Sequence, residues 1–422
     1  MADPEAPDSN SVSDVIAFVP SVTIHVYCES SSLAGIVENA AADRRMQKTN
    51  VRSRTGGIAA ALNAYREEQT PNVVVLEVGA DSASFLSDLD GLAEYCDDST
   101  RVIVLGRIND IMLYRALIAR GVSDYLVEPF SVLEFVRAIS DLFGKPGGNP
   151  LGRVVAVYGS KGGVGASTVA HNMSWSVANK LDTSVVLVDF DLPFGTGGLD
   201  FNQDPLLGLA DAVFSPDRLD SGMLDRLLTK CGDRLSLLAA PATLAREYDF
   251  NEEAFDVTLD LLRASAPLIV LDIPHLWTAW TKRLLMNSDE LVVVAEPDLA
   301  NLRNVKNLLD LLGPARSNDS KPKLVMNKIG VPKRPEIPLQ EFTEGVSVTP
   351  SAVISFDPKL FGAAANNGQM IAEVSGGAKT GDIFLNLSRI VTGRTELQSV
   401  KKGGLIESLK STKLPFGIGK TS

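Results

Sequence analysis

The sequence predicts an α/β protein made of two doubly wound parallel sheets in series. Three observations carry that expectation. Short apolar, β-branched runs alternate with helical stretches through most of the chain, as parallel strands joined by helical crossovers do. The runs beyond residue 153 are almost continuously apolar, which suits strands buried on both faces. Between the two blocks, Lys145-Pro-Gly-Gly-Asn-Pro-Leu-Gly152 has the composition of a linker. At 422 residues the chain is also too long for one ordinary core.

Composition narrows the class. Apolar residues make up 45% and charged residues 22%, the balance of a soluble globular protein. A net charge of −12 speaks against nucleic acid as a partner, because non-specific binding needs clustered Lys and Arg. Cys28, Cys96 and Cys231 are odd in number and far apart. They form neither a disulfide framework nor a metal motif, and are expected as buried thiols in a reducing cytoplasm. Residues 1–20 are small, polar and acidic, which predicts a disordered tail rather than a signal peptide. No run of about 18 uncharged apolar residues occurs, so no membrane-spanning helix is expected.

The first block, residues 21–144, has expected strands at 23–27, 73–78, 102–105 and 124–127, with a less regular one near 50–52. Helical stretches fall at 32–42, 57–67, 84–95, 111–119 and 131–142. Tyr125-Leu-Val-Glu-Pro-Phe130 resembles the end of the fifth strand of a response-regulator receiver domain. That resemblance implies a phosphotransfer pocket whose positions can be compared one by one. Cys28-Glu29 stands where the acidic pair for Mg²⁺ belongs, and Glu77 where the phosphate-accepting Asp belongs. Glu128 replaces the charge-neutralising Lys, and Gly106 the hydroxyl residue after strand four. Four departures in one pocket predict a receiver-like fold that takes up no phosphate. Glu77 and Glu128 then read as solvated carboxylates, and the surface of the domain remains for docking or localisation.

The second block, residues 153–396, has expected strands at 154–158, 184–188, 235–238, 268–271, 291–295, 323–326 and 352–354. Between the first of these and a helical stretch at 167–180 lies Gly159-Ser-Lys-Gly-Gly-Val-Gly-Ala-Ser-Thr168. Strand, Gly-rich turn and helix form a phosphate cradle. Glycines let backbone N–H groups face an anion, and the helix N-terminus adds its positive dipole end. Gly159, Lys161, Gly162, Gly163, Val164, Gly165, Ala166, Ser167 and Thr168 are the candidate nucleotide-binding residues, with the Ser167 hydroxyl available to Mg²⁺. Ala166 stands where an ordinary P-loop has its Lys, and Lys161 lies early in the loop. That early Lys resembles the signature lysine of the deviant Walker A motif, KGGxGK[ST]T, of the MinD/ParA ATPases.

Further segments match that family in order. Val188-Asp-Phe-Asp-Leu-Pro-Phe-Gly195 ends a strand. By resemblance, Asp191 orients the attacking water and Asp189 lies nearer the metal. Leu268-Ile-Val-Leu-Asp-Ile-Pro274 has the form of a Walker B strand, placing Asp272 to hold Mg²⁺ through water. Val325-Met-Asn-Lys328 resembles the strand end whose Asn, here Asn327, meets adenine. Arg303 reads as a helix-surface cation. His171, with His25 and His275, reads as a surface or packed histidine, since no second His or Cys stands at metal-ligand spacing. Met173 falls on a core stripe with Val169 and Val177.

A degenerate receiver followed by KGGVGAST, together with residues 356–369 (FDPKLFGAAANNGQ), resembles the CpaE/TadZ pilus-assembly branch of the MinD/ParA family. The resemblance implies a cytoplasmic protein that binds ATP and Mg²⁺, forms a homodimer through the ATPase domain, and helps place a type IV (Flp/Tad) pilus secretion machine, often at a cell pole. With Ala166 in the loop, hydrolysis is expected to be slow or absent. The competing readings are a ParA-type partitioning ATPase and a scaffold independent of nucleotide. The basic tail, residues 397–422, reads as solvated, with weak membrane-surface contact through Leu405, Ile406 and Leu409 as the alternative.

Overall fold

The computed structural model describes residues 15–79, 82–97, 99–144, 151–374 and 377–394. The tail 397–422 and most of the 145–152 linker lie outside them. Val73 to Leu76 are all fully buried, and this run forms the centre of the first sheet. Its strands are β1 (Thr23–Cys28), β2 (Asn50–Thr55), β3 (Val73–Glu77), β4 (Arg101–Gly106) and β5 (Asp124–Val127). They pair in parallel in the order β2-β1-β3-β4-β5. The order reverses between β1 and β3, so the crevice beyond their carboxyl ends is where such a sheet builds a site.

Glu77 closes that crevice. Its side chain is 8% exposed, and Oε2 accepts the N–H groups of Glu29 at 2.6 Å and Ser30 at 2.8 Å. The expectation of a solvated Glu77 is therefore corrected. The loop after β1 has backbone donors to satisfy, and one extra methylene lets this carboxylate reach back and cap them. Glu128 is only partly exposed and pairs with Arg107 at 3.2 Å. The expected N-terminal tail is also shorter than 1–20, because Ile16 and Val19 are buried in the core beside Ile24 and Val136.

The second sheet has eight strands: β6 (Arg153–Gly159), β7 (Val185–Asp189), β8 (Thr229–Lys230), β9 (Leu235–Leu238), β10 (Leu268–Ile273), β11 (Glu290–Ala295), β12 (Lys323–Ile329) and β13 (Pro350–Ser355). Their order is β13-β12-β11-β6-β10-β7-β9-β8. All pairs are parallel except β8 with β9, an antiparallel pair two residues long. Apolar clusters cover both faces, one around Phe190, Phe255 and Trp280, the other around Val169, Met173 and Phe384. β6 lies between β10 and β11, so its carboxyl end opens at the middle of the sheet.

The two sheets meet at a buried ionic junction. Asp43, Arg44 and Arg45 lie on a short turn (3₁₀ helix Arg44–Met46) and are 4%, 1% and 7% exposed. Arg44 Nε donates to Asp319 Oδ2 at 2.8 Å, Arg45 Nη2 to Asp319 Oδ1, and Asn318 Nδ2 to Asp43 Oδ2 at 2.9 Å. Arg316 binds the same Asp319 carboxylate at 2.9 Å. Burial, with Arg45 and Arg316 alongside, pushes the Arg44 guanidinium down to about 10. Removing one partner from such a cluster costs about 3–5 kcal/mol, because the others are left charged and dry.

Two outcomes are expected of the β1–β3 crevice. Incubation with acetyl phosphate and Mg²⁺ should leave the intact mass unchanged, and a stable single-phosphate adduct on the first domain would overturn the closed-pocket account. Glu77→Ala strands the Glu29 and Ser30 donors and should lower the urea unfolding free energy by about 1–3 kcal/mol; no loss would mean the carboxylate does not hold the loop.

Candidate functional site

The loop leaves β6 at Gly159 and ends where the helix Ala166–Lys180 begins. Two glycines make the turn. Gly163 and Gly165 have φ of 80° and 90°, the left-handed region that side chains avoid. A Cβ on Gly165 would stand 2.5 Å from Asn327 Nδ2. Gly165 caps the helix without a side-chain acceptor. Among the described residues, no backbone N–H from Lys161 to Thr168 donates to a protein acceptor. Val164 is buried and anchors the loop, while Lys161, Gly162 and Gly163 are exposed. A run of free donors at a helix N-terminus is complementary to an anion.

Neighbouring elements hold the loop from outside. The Ser160 hydroxyl donates to Asn301 Oδ1 at 2.6 Å and Asn304 Nδ2 donates to the Ser160 carbonyl at 2.8 Å. Both asparagines lie on the long helix Leu299–Ala315. Lys161 Nζ pairs with Asp298 Oδ2 at 3.3 Å, and Asp298 also caps that helix through Asn301 N–H. His275, just beyond β10, places Nδ1 2.9 Å from the Gly159 carbonyl. Asn327 donates to the Val164 carbonyl at 2.8 Å and accepts from Lys328 N–H, so its amide props the loop. Lys328 Nζ reaches the Gly163 carbonyl and pairs with Glu296 at 2.9 Å. Arg303 lies on the helix surface against Asn304. Beside Gly165 and Thr168 opens a cavity of about 130 Å³, walled by Asn327, Phe356, Pro358 and Phe361. A larger cavity of about 370 Å³ lies away from the loop, at the far end of the long helix by Leu312 and Val346.

The carboxylates cluster behind the loop. Asp189 is 1% and Asp272 4% exposed, and they sit on adjacent strands in register. Asp189 Oδ1 accepts Asp191 N–H and Oδ2 accepts Gly197 N–H, each at 3.0 Å, so it shapes the loop after β7. Burial, then the charge of Asp272, pushes the Asp189 carboxyl up to about 7. Asp191 is partly exposed, accepts Phe194 N–H, and is raised by its own burial. His171 was the residue sequence reasoning undervalued. It is fully buried, with Nδ1 2.7 Å from Asp200 Oδ2 and Nε2 at ion-pair distance, 3.3 Å, from Asp272 Oδ2. Burial opposes its charged form, but the two carboxylates outweigh it and push the imidazole up to about 10. Its place one helical turn beyond Ser167 was visible in the sequence; its partner Asp200 was not.

These residues fit a magnesium nucleotide. The uncapped donors match phosphate oxygens, and Ser167 with Asp272 offers oxygen ligands. Among the described residues no group of three or more His, Cys, Asp or Glu could hold a metal.

Fold and loop define a P-loop α/β protein. A family model described as an AAA domain matches residues 152–326. The septum site-determining protein MinD of Synechocystis is 26% identical over 255 residues, covering 58% of this chain and 91% of that protein. A ParA family ATPase from Chlorobium tepidum shares the fold at 23% identity, with a TM-score of 0.51 and coverage of 56% and 98%. The pilus assembly protein CpaE of Caulobacter crescentus is 40% identical across 100% of its crystallised chain, covering 31% of this one, with a TM-score of 0.30. Over its second domain the chain is similar to the MinD/ParA-type ATPases. No described helix is long and apolar enough to cross a membrane.

The charge cluster predicts a pH dependence. The His171 pKa is raised on folding, so its contribution to stability is complete below about pH 6.5 and is lost as pH rises toward about 10; the raised Asp189 carboxyl acts with the same sign, between about pH 4 and 7. In Mg²⁺-free buffer the melting temperature should fall between about pH 7 and 9.5, and His171→Asn should remove roughly half or more of that fall. An unchanged slope in the variant would remove His171 from the account.

Proposed function

We propose that this protein binds ATP with Mg²⁺ at the Gly159–Thr168 loop, dimerises through the carboxyl edge of its large sheet, hydrolyses ATP slowly or not at all, and serves to position or assemble a type IV (Flp/Tad) pilus secretion machine. One observation carries the nucleotide reading: the unbroken row of free N–H donors from Lys161 to Thr168. The pilus reading rests on the likeness to a pilus assembly protein.

In this reading the loop N–H groups bind the phosphates and the 130 Å³ cavity takes the base, with Asn327 at its wall. Ser167 and Asp272 hold Mg²⁺, while buried Asp189 adds charge behind them. Asp191, the more exposed of its pair, orients water. Ala166 leaves no cation at the usual P-loop position, and the loss of one such electrostatic group slows turnover about 10²-fold or more. In this reading the exposed Lys161 acts from a second copy. Phe194, Leu276, Trp277 and Leu299 are 49–72% exposed, and all follow the carboxyl ends of β7, β10 and β11, the edge that carries the loop. An apolar rim around a phosphate site suits a facing protein surface.

Lys161→Ala tests this. The variant should bind ATP with little change in affinity yet fail to dimerise with ATP by light scattering. Dimerisation equal to wild type would rule out a lysine acting across the interface, and rapid turnover by wild-type monomer would rule out slow hydrolysis.

A further inference from the structure

The long helix Leu299–Ala315 touches two things at once. At its N-terminal end, Asp298 holds Lys161, and Asn301 and Asn304 hold both the side chain and the carbonyl of Ser160. These are the first two residues after β6. At its C-terminal end, Arg316, Asn318 and Asp319 receive the first domain's Asp43, Arg44 and Arg45. Arg316 also donates to the carbonyls of Leu285, Met286 and Ser288, fixing this end to the approach to β11. The spacer between is one helix with Val305, Leu308 and Leu312 buried in the core and Pro314 in its last turn. Packed helices of this kind shift as units rather than bend.

The junction is electrostatically uneven. Arg44, Arg45, Arg316 and Arg263 surround Asp43, Asp289 and Asp319. Among the described residues, Arg44 Nη1 and Nη2 have no hydrogen-bond partner. With Arg45 Nε also unpartnered, the contact holds the domains together with two guanidinium groups incompletely satisfied, which makes it sensitive to displacement.

We propose that the long helix is a coupling rod. The receiver-like domain, docked through Asp43, Arg44 and Arg45, sets the helix position and thereby how firmly Asp298, Asn301 and Asn304 hold Ser160 and Lys161. A partner that pulls on the first domain is then felt at the loop without touching it. Only the consequence for nucleotide rests on the ATP-binding reading; the coupling itself does not.

The test uses the full chain without nucleotide. Asp319→Asn removes the carboxylate that three arginines share while keeping its shape, and Asn318→Ala is a milder version. Arg54→Ala, which breaks an exposed pair with Glu68 in the same domain, is the control. Hydrogen–deuterium exchange is followed at the hydrogen-bonded amides of Gly159 and Ser160 and at residues 298–304, with residues 73–77 and 185–189 reporting on the two folded cores. Exchange at the loop and helix start should rise about fivefold in Asp319→Asn and about twofold in Asn318→Ala, with the cores and the control unchanged. Acylation of the Lys161 amine should quicken in parallel. Unchanged exchange at Gly159, Ser160 and 298–304 in both junction variants, while residues 316–320 exchange faster, overturns the proposal. If Asp319→Asn loses core protection, Asn318→Ala decides in the same terms. A chain that shows the coupling yet binds no ATP refutes the nucleotide reading and leaves the rod standing.

Discussion

Eight consecutive peptide groups with no acceptor among the described residues set the terms for the rest of this fold. Backbone donors are seldom left unpaired, and here the geometry prevents the chain from pairing them itself. Gly163 and Gly165 turn them outward, β6 delivers them at the middle of an eight-stranded sheet, and Asn327, His275 and Asn304 hold the loop's carbonyls from behind. The sheet, its helices and the flanking polar side chains all act to keep a row of positive dipoles open to an anion.

A site with a row of open N–H donors must also balance its own carboxylates. Asp189 and Asp272 lie on neighbouring strands with almost no solvent between them and the core. An ordinary loop lysine would help neutralise that region, and Ala166 cannot. His171 stands one turn along the same helix, held between Asp200 and Asp272. A protonated imidazole there offsets two carboxylates with a charge that stays in the protein, whereas a lysine in the loop would follow the ligand.

Much of this was legible in the sequence, because the signals were local. Every expected strand is present, with ends differing by at most three residues, since β-branched runs between helical segments are hard to read otherwise. The loop was legible because glycine at positive φ leaves a spelling. What escaped has no local spelling. β8 is two residues long and exists only because β9 offers it an edge. Glu77 looked solvated because nothing in Val-Val-Val-Leu-Glu announces that its carboxylate turns back to the β1 loop. The pairing of Arg44 and Arg45 with Asp319 spans some 275 residues, and only the folded chain brings those charges together.

The margins of the large sheet have a consequence for how copies of the chain meet. On one side β8 presents two residues running against the direction of its neighbours. On the other, β13 opens with Pro350, has no amide hydrogen there, and runs within three residues into Asp357-Pro358. Neither margin is a good template for another backbone. Contact between copies is left to side chains and loops, which come apart more readily than a shared ladder of peptide bonds. Any assembly built this way would come apart without a sheet being unzipped.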